Sequence, residues 1–194
     1  MSSVLEAGDL TSRARIIAAG LDRFAAVGYR AATLRSIADE AGVSAALIVH
    51  HFGDKDGLRT ACDERVVRFV VDKREPDAAG EALTDALRRY GPYLARMLGE
   101  EGPASDALFT ALLNVARNAV AEGTAAGTMR SSDDPEAQAA ALLALSVAPF
   151  FVAHQLARWS EGDAQAGILR IAGPISDIYR HGLFLEPRAD GDRG

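Results

Sequence analysis

Apolar residues recur at helical spacing along most of the chain. From Arg13 onward, Ile17, Leu21 and Phe24 share one face, Gly20 leaves room beside them for a second helix, and Gly28 stops the run. Thr33 is a sound N-cap for a short helix with Leu34, Ile37, Ala38 and Ala41 as its inward stripe, and Gly42 ends it. Ser44 then caps another short helix, whose inward positions are Ile48, His51 and Phe52. Gly53 breaks the chain again. Asp54 caps a helix running from Lys55 to about Glu75, with Leu58, Cys62, Val66, Phe69 and Val70 inward, and Pro76 marks a boundary.

The remainder reads the same way. A helix is expected from about Glu81 to Leu98, kinked at Gly91-Pro92, and another from about Ser105 to Glu122, with Gly102 and Pro103 between them. Gly123 to Gly127 is a loop. Asp134 followed by Pro135 is a cap and first-turn proline for a long helix to about Ser160, and a further helix runs from Ala164 to about Leu183. Pro149 and Pro174 sit inside these last two helices and should kink them. No stretch sustains an apolar/polar alternation and alanine is abundant, so the chain is expected to be all-α.

Charge changes the picture because of where it lies. The net charge is −6 over 194 residues, yet residues 1–75 carry 11 basic and 11 acidic side chains, leaving 10 basic and 16 acidic for residues 76–194. A neutral N-terminal module can turn a basic face to phosphate, while an acidic body is repelled from it and orients the approach. Cys62 is the single cysteine, which excludes an intrachain disulfide and thiolate metal clusters and suits a reducing cytoplasm. Met1 to Leu10 does not read as a signal peptide. Ala137 to Ala157 carries no formal charge, but it includes Gln138, Ser146, Pro149, His154 and Gln155 and is better explained as a helix buried in a core or at a subunit contact than as a membrane span.

The informative stretch is Thr33 to Lys55. A helix entering so soon after Gly42 and Val43 crosses its predecessor steeply, which brings its outward face within reach of a DNA major groove while the first helix braces on the backbone. Thr33, Arg35, Ser44 and Lys55, each near a helix start, are suited to phosphate oxygens. The outward face of the second helix is Ala45, Ala46, Leu47, Val49 and His50, which holds few strong donors, so base reading rests on apolar contact with thymine methyls, on His50 and on DNA shape. A helical hairpin that never meets DNA has the same outline. A small-molecule binding protein whose head no longer reads DNA is the alternative that this donor-poor face suggests.

From about Arg13 to Asp63 the chain resembles the DNA-binding domain of the TetR family. The resemblance rests on Ile16-Ile17, Phe24, Gly28-Tyr29, the helix from Thr33 to Gly42, Val43-Ser44, His51-Phe52, and Asp54-Lys55 with Leu58. It departs from the family at Val49, where a phosphate-reaching tyrosine is usual, and at Ala45, where a basic residue or proline is common. The resemblance implies a three-helix helix-turn-helix domain over 10–54, a connecting helix over 55–75, a C-terminal antiparallel helical bundle for ligand binding and dimerisation over 76–187, and a polar tail over 188–194. It implies a homodimer paired through its last two long helices, occupying a palindromic operator and most often repressing. A ligand in the body would favour one setting of the connecting helix and so change the separation of the two recognition helices.

A ligand pocket in such a body would be mostly apolar with a few orienting polar groups, and would take a small apolar or amphipathic molecule. By helical phase, Tyr93, Met97, Phe109, Leu113, Asn114, Phe150, Phe151 and His154 are the candidates, with Trp159 among the nearby aromatics. The same residues would serve equally as core. His50 and His51 are adjacent and diverge on a helix, so they do not form a metal pair, and His154 and His181 lack a close partner in sequence. No nucleophile elbow, phosphate loop, dinucleotide fingerprint or metal-binding helix is present, so neither a cofactor nor an enzyme is expected.

Overall fold

Capping residues and glycines divide the chain where the sequence places them. The computed structural model describes residues 2–72 and 81–181, with side chains at 11–71 and 89–178. These form α1 (Ser2–Ala31), α2 (Leu34–Ala41), α3 (Ala45–Phe52), α4 (Lys55–Asp72), α5 (Glu81–Leu98), α6 (Pro103–Ala125), α7 (Pro135–Phe151), α8 (Ala153–Trp159) and α9 (Ala164–His181). There is no strand among the described residues. His181 closes α9, and its side chain, like the expected polar tail, lies outside the described residues.

Gly28 interrupts α1 with φ 80° and ψ 166°, a combination that only glycine adopts readily, so the regular helix stops where the sequence puts the stop. Upstream, α1 starts at Ser2, before the expected onset near Arg13. Asp54 caps α4 by accepting the Gly57 N–H at 2.8 Å, Asp134 caps α7 through Ala137 N–H at 2.9 Å, and Asp163 caps α9 through Ala166 N–H at 2.8 Å. The helices run on past Pro92 and Pro174, whereas the long helix expected up to Ser160 is broken at Val152, three residues beyond Pro149. The uncharged stretch is thereby split between α7 and α8, and no single helix among the described residues is long and apolar enough to cross a membrane.

The packing separates into two compact units, one ending at Phe151 and one beginning at Val152. The boundary expected at Pro76 lies outside the described residues; beyond it, α5 packs along α1 within the first unit. The core of that unit holds Ile16, Phe24, Ile37, Ile48, Leu58, Cys62, Val66, Tyr93 and Met97, all fully buried. Gly20 lets α1 and α4 close up: a Cβ there would stand 3.1 Å from Cys62 Sγ. Gly91 does the same for α5 and α7, since a Cβ would meet the Phe150 ring at 2.8 Å. In the second unit α8 packs on α9, with Gly167 against the Leu156 backbone and the Arg170 guanidinium 4.2 Å above the Trp159 ring.

Candidate nucleic-acid interface

The turn between α2 and α3 is built from local hydrogen bonds. The Thr33 hydroxyl oxygen accepts the Ser36 N–H at 3.1 Å, and the Ser36 hydroxyl oxygen accepts the Thr33 N–H at 3.3 Å, a reciprocal cap at the start of α2. Gly42 closes α2 in the left-handed region, φ 64° and ψ 42°, and Val43 N–H reaches back to the Ala38 carbonyl at 3.0 Å. Two residues later Ser44 caps α3 by accepting the Leu47 N–H at 3.2 Å. Fully buried Ile37 and Ile48 pin the two helices on the α1 core.

Arg15 on α1 clamps this turn, donating from Nε to the Ala41 carbonyl and from Nη2 to the Gly42 carbonyl, both at 3.1 Å. The sequence did not single it out. Its partners lie 26 and 27 residues away, so no local spacing marks it. A cation at the C-terminus of α2 also complements the helix dipole.

On α3, Ala46, Val49 and His50 are exposed. Ala45 and Leu47, expected on the same outward face, are half-buried and pack on the core, because an eight-residue helix lying across α1, α2 and α4 leaves only a narrow free strip. The face available to a groove is therefore Ala46, Val49 and His50, while His51 is half-buried with its ring 5.8 Å from Phe52. Arg35 is exposed on the first turn of α2. Lys55 is tied inward: its ammonium stands 4.4 Å from the Tyr29 ring centroid and donates to the Arg30 carbonyl at 3.4 Å. One ammonium proton is committed there, which leaves donors for a phosphate.

Tyr29 joins the head to α5. Its hydroxyl donates to Asp56, and burial together with that carboxylate pushes the phenol up to about 12. Its N–H donates to Glu100 at 3.1 Å; Glu100 pairs with Arg96 at 3.7 Å, and Arg96 donates to the Val27 carbonyl at 3.3 Å. Next to this lies a buried polar group between α4 and α5. Tyr93 donates to Asp63 at 2.6 Å, and Arg59, 4% exposed, sits 3.6 Å from the same carboxylate and 5.3 Å from the Tyr29 ring. Burial raises the Asp63 carboxyl, opposed by the Tyr93 hydrogen bond and the Arg59 charge. Of these contacts, the Tyr93–Asp63 hydrogen bond joins α4 to α5, while the Tyr29–Glu100 and Arg96–Val27 hydrogen bonds join α1 to α5.

These observations match a known domain pair. The family model described as "Bacterial regulatory proteins, tetR family" matches residues 16–62, which cover the second half of α1, α2, α3 and the start of α4, and that described as "Tetracyclin repressor-like, C-terminal domain" matches residues 85–185. The chain belongs to the TetR family. It is a TetR-type helix-turn-helix transcriptional regulator, 32% identical over 94% of its length, and 91% of the relative's, to the HTH-type transcriptional regulatory protein RaaS of Mycobacterium tuberculosis. Among solved structures, the fatty acid degradation regulator FadR from Bacillus halodurans shares the fold at a TM-score of 0.67 and 18% identity, covering 88% of this chain and 98% of that one. FadR from Bacillus subtilis in complex with stearoyl-CoA does so at 0.61 and 16%, with the same 88% and 98% coverage.

Of the residues proposed by helical phase for a ligand, Tyr93, Met97 and Leu113 share one core in this TetR-family body with Phe150 packed against it, and Phe109, Asn114, Phe151 and His154 are exposed. Tyr93 and Met97 are fully buried core and Leu113 is 9% exposed, whereas Phe109, Asn114 and Phe151 are on the surface. Phe150 packs against Gly91, and His154 is exposed on α8 in the other unit. Asn114 accepts from Arg117 at 2.7 Å instead of facing a cavity. Helical phase fixes a shared face but not which face turns inward, and it put core and surface residues on one roster. A cavity among the described residues lies elsewhere, between α1, α4 and α5, and none of these eight lines it.

Proposed function

We propose that this TetR-family protein acts in the cytoplasm as a ligand-responsive homodimeric repressor on a palindromic operator, residues 10–54 forming the reading head and 55–75 the helix that carries the response. The observation that carries the reading is the braced helix-turn-helix, with Ala46, Val49 and His50 exposed on α3 and with Thr33, Arg35, Ser44 and Lys55, the residues assigned to phosphate, at the helix starts around it. With apolar and histidine side chains facing the groove, affinity comes mainly from phosphates, and sequence from thymine methyls, His50 and DNA shape. The homodimer reading is supported by exposed apolar residues in the late helices: Leu145 and Phe151 on α7, Trp159 on α8, Leu169 and Ile178 on α9. Response to a small molecule is supported by proteins of the same fold crystallised with one and by the Tyr93–Asp63 hydrogen bond that ties α4 to α5.

The test is binding to a specific duplex across a salt series. A steep fall of log affinity with log salt, reduced in slope by about one in Arg35→Ala, supports the reading. Salt-independent binding, or an Arg35→Ala slope equal to that of the unaltered protein, argues against it.

A further inference from the structure

A cleft of about 200 Å³ opens between α1, α4 and α5. Its floor is apolar: Ala14, Ile17, Ala18 and Leu21 from α1, and Ala61 from α4. Around this floor stand four guanidiniums, Arg13 of α1, Arg65 and Arg68 of α4 and Arg89 of α5, with Glu64 as the acid among the lining residues. None of the four is ion-paired to a carboxylate among the described residues; Arg65 donates to the Tyr90 hydroxyl at 3.3 Å, and Arg13 stacks 5.2 Å from the Phe52 ring centroid. Four like charges gathered on three helices repel one another, and the acidic remainder of the chain makes their concentration here more marked. The chemistry they suit is an anion with several acceptor oxygens, since guanidinium forks bind phosphate bidentately, carried on an apolar portion that covers the floor.

We propose that this cleft is an effector site for an organic phosphate, with the phosphate among Arg65, Arg68 and Arg89 and the carbon portion on Ala14, Ala18 and Ala61. Such a ligand bridges α4 to both α1 and α5. Through Arg13 it also reaches the last residue of the recognition helix. A ligand that binds one setting of α4 better than another shifts the population toward it, and DNA must change the affinity for that ligand by the same factor. The site supplies a ligand class and location for the regulator proposed above; its effect on DNA rests on that reading, while occupancy of the cleft does not.

The experiment is calorimetric titration of the full chain, without DNA, with hexyl phosphate, inorganic phosphate and hexanol at matched ionic strength. The expected result is one saturable site per chain, with hexyl phosphate bound at least about tenfold more tightly than inorganic phosphate because it also covers apolar surface. The doubly substituted Arg68→Gln, Arg89→Gln protein weakens hexyl phosphate by about tenfold or more at unchanged Tm. Ala18→Leu, which fills the floor without touching the charges, weakens hexyl phosphate and leaves inorganic phosphate unaffected. No saturable binding, hexanol binding as tightly as hexyl phosphate, or equal affinity in all the variants would overturn the proposal. So would a double variant that keeps hexyl phosphate but loses duplex affinity, since the arginines would then serve the DNA backbone. Because the titration contains no DNA, its failure removes the site and leaves the DNA-binding reading standing.

Discussion

Replacing Tyr93 with phenylalanine removes one hydroxyl from the joint between α4 and α5 and leaves the ring in place. That hydroxyl is fully buried and donates to Asp63 at 2.6 Å; Asp63, 18% exposed, has Arg59 3.6 Å away as its other charged neighbour. A hydrogen bond to a buried charged group contributes about 1.5–3 kcal/mol, so a loss of about 2 kcal/mol is expected. For a chain of this length that corresponds to about 4–8 °C in Tm. Burial raises the Asp63 carboxyl, and the Tyr93 bond opposes the rise by favouring the ionised form. A raised carboxylate takes up a proton on folding, so its contribution is complete at low pH and is lost as pH rises through its folded pKa. The cost of Tyr93→Phe must therefore be largest where Asp63 is ionised and shrink as the pH falls into and below its raised range, which lies above the usual value near 4. Thermal unfolding of both proteins at about pH 8 and at about pH 4, the usual value that the folded carboxyl exceeds, measures it. A difference in Tm that is the same at both pH values, or that grows toward the lower, would refute the reasoning.

Further consequences concern the head. In Gly28→Ala, a side chain would have to adopt φ 80° with its Cβ 2.5 Å from Glu100 Oε1, so a loss of about 1–3 kcal/mol is expected in denaturant unfolding; an unchanged midpoint would contradict the packing described. Ile48→Ala empties a fully buried site between the recognition helix and the core, and equilibrium unfolding should show a loss of about 2–5 kcal/mol. Arg15→Ala removes two hydrogen bonds to the end of α2 and should cost about 1–2 kcal/mol, with operator affinity falling along with it; full affinity in gel-shift titrations would show that the clamp does not hold the turn. Thr33→Ala should cost about 1 kcal/mol through the lost cap.

How much of this was legible depended on the range of each interaction. The caps at Thr33, Ser44, Asp54 and Asp134 and the stop at Gly28 act within three residues or on their own backbone, so residue type and position reveal them. The buried stripe of Leu58, Cys62 and Val66 followed from periodicity alone. The Arg15 clamp, the Glu100 contact to Tyr29 and the Tyr93–Asp63 pair span 26 to 71 residues and join polar groups that leave no periodic trace. Leu47 shows the limit on the reading face: one strand of helical phase placed it outward, but α3 is gripped from three sides, and a large apolar residue there is drawn onto the core. The ligand candidates divide between core and surface for the same reason. The cleft between α1, α4 and α5 is ringed by arginines, which in sequence look like ordinary surface charges.

Selection of bound duplexes from a random DNA pool by the purified protein at physiological salt tests the central claim most directly. The account predicts an enriched palindrome with two half-sites whose centres are one helical turn, about 34 Å, or a multiple of it apart. Recovery of no sequence above background, from protein shown to be folded and dimeric, would contradict it.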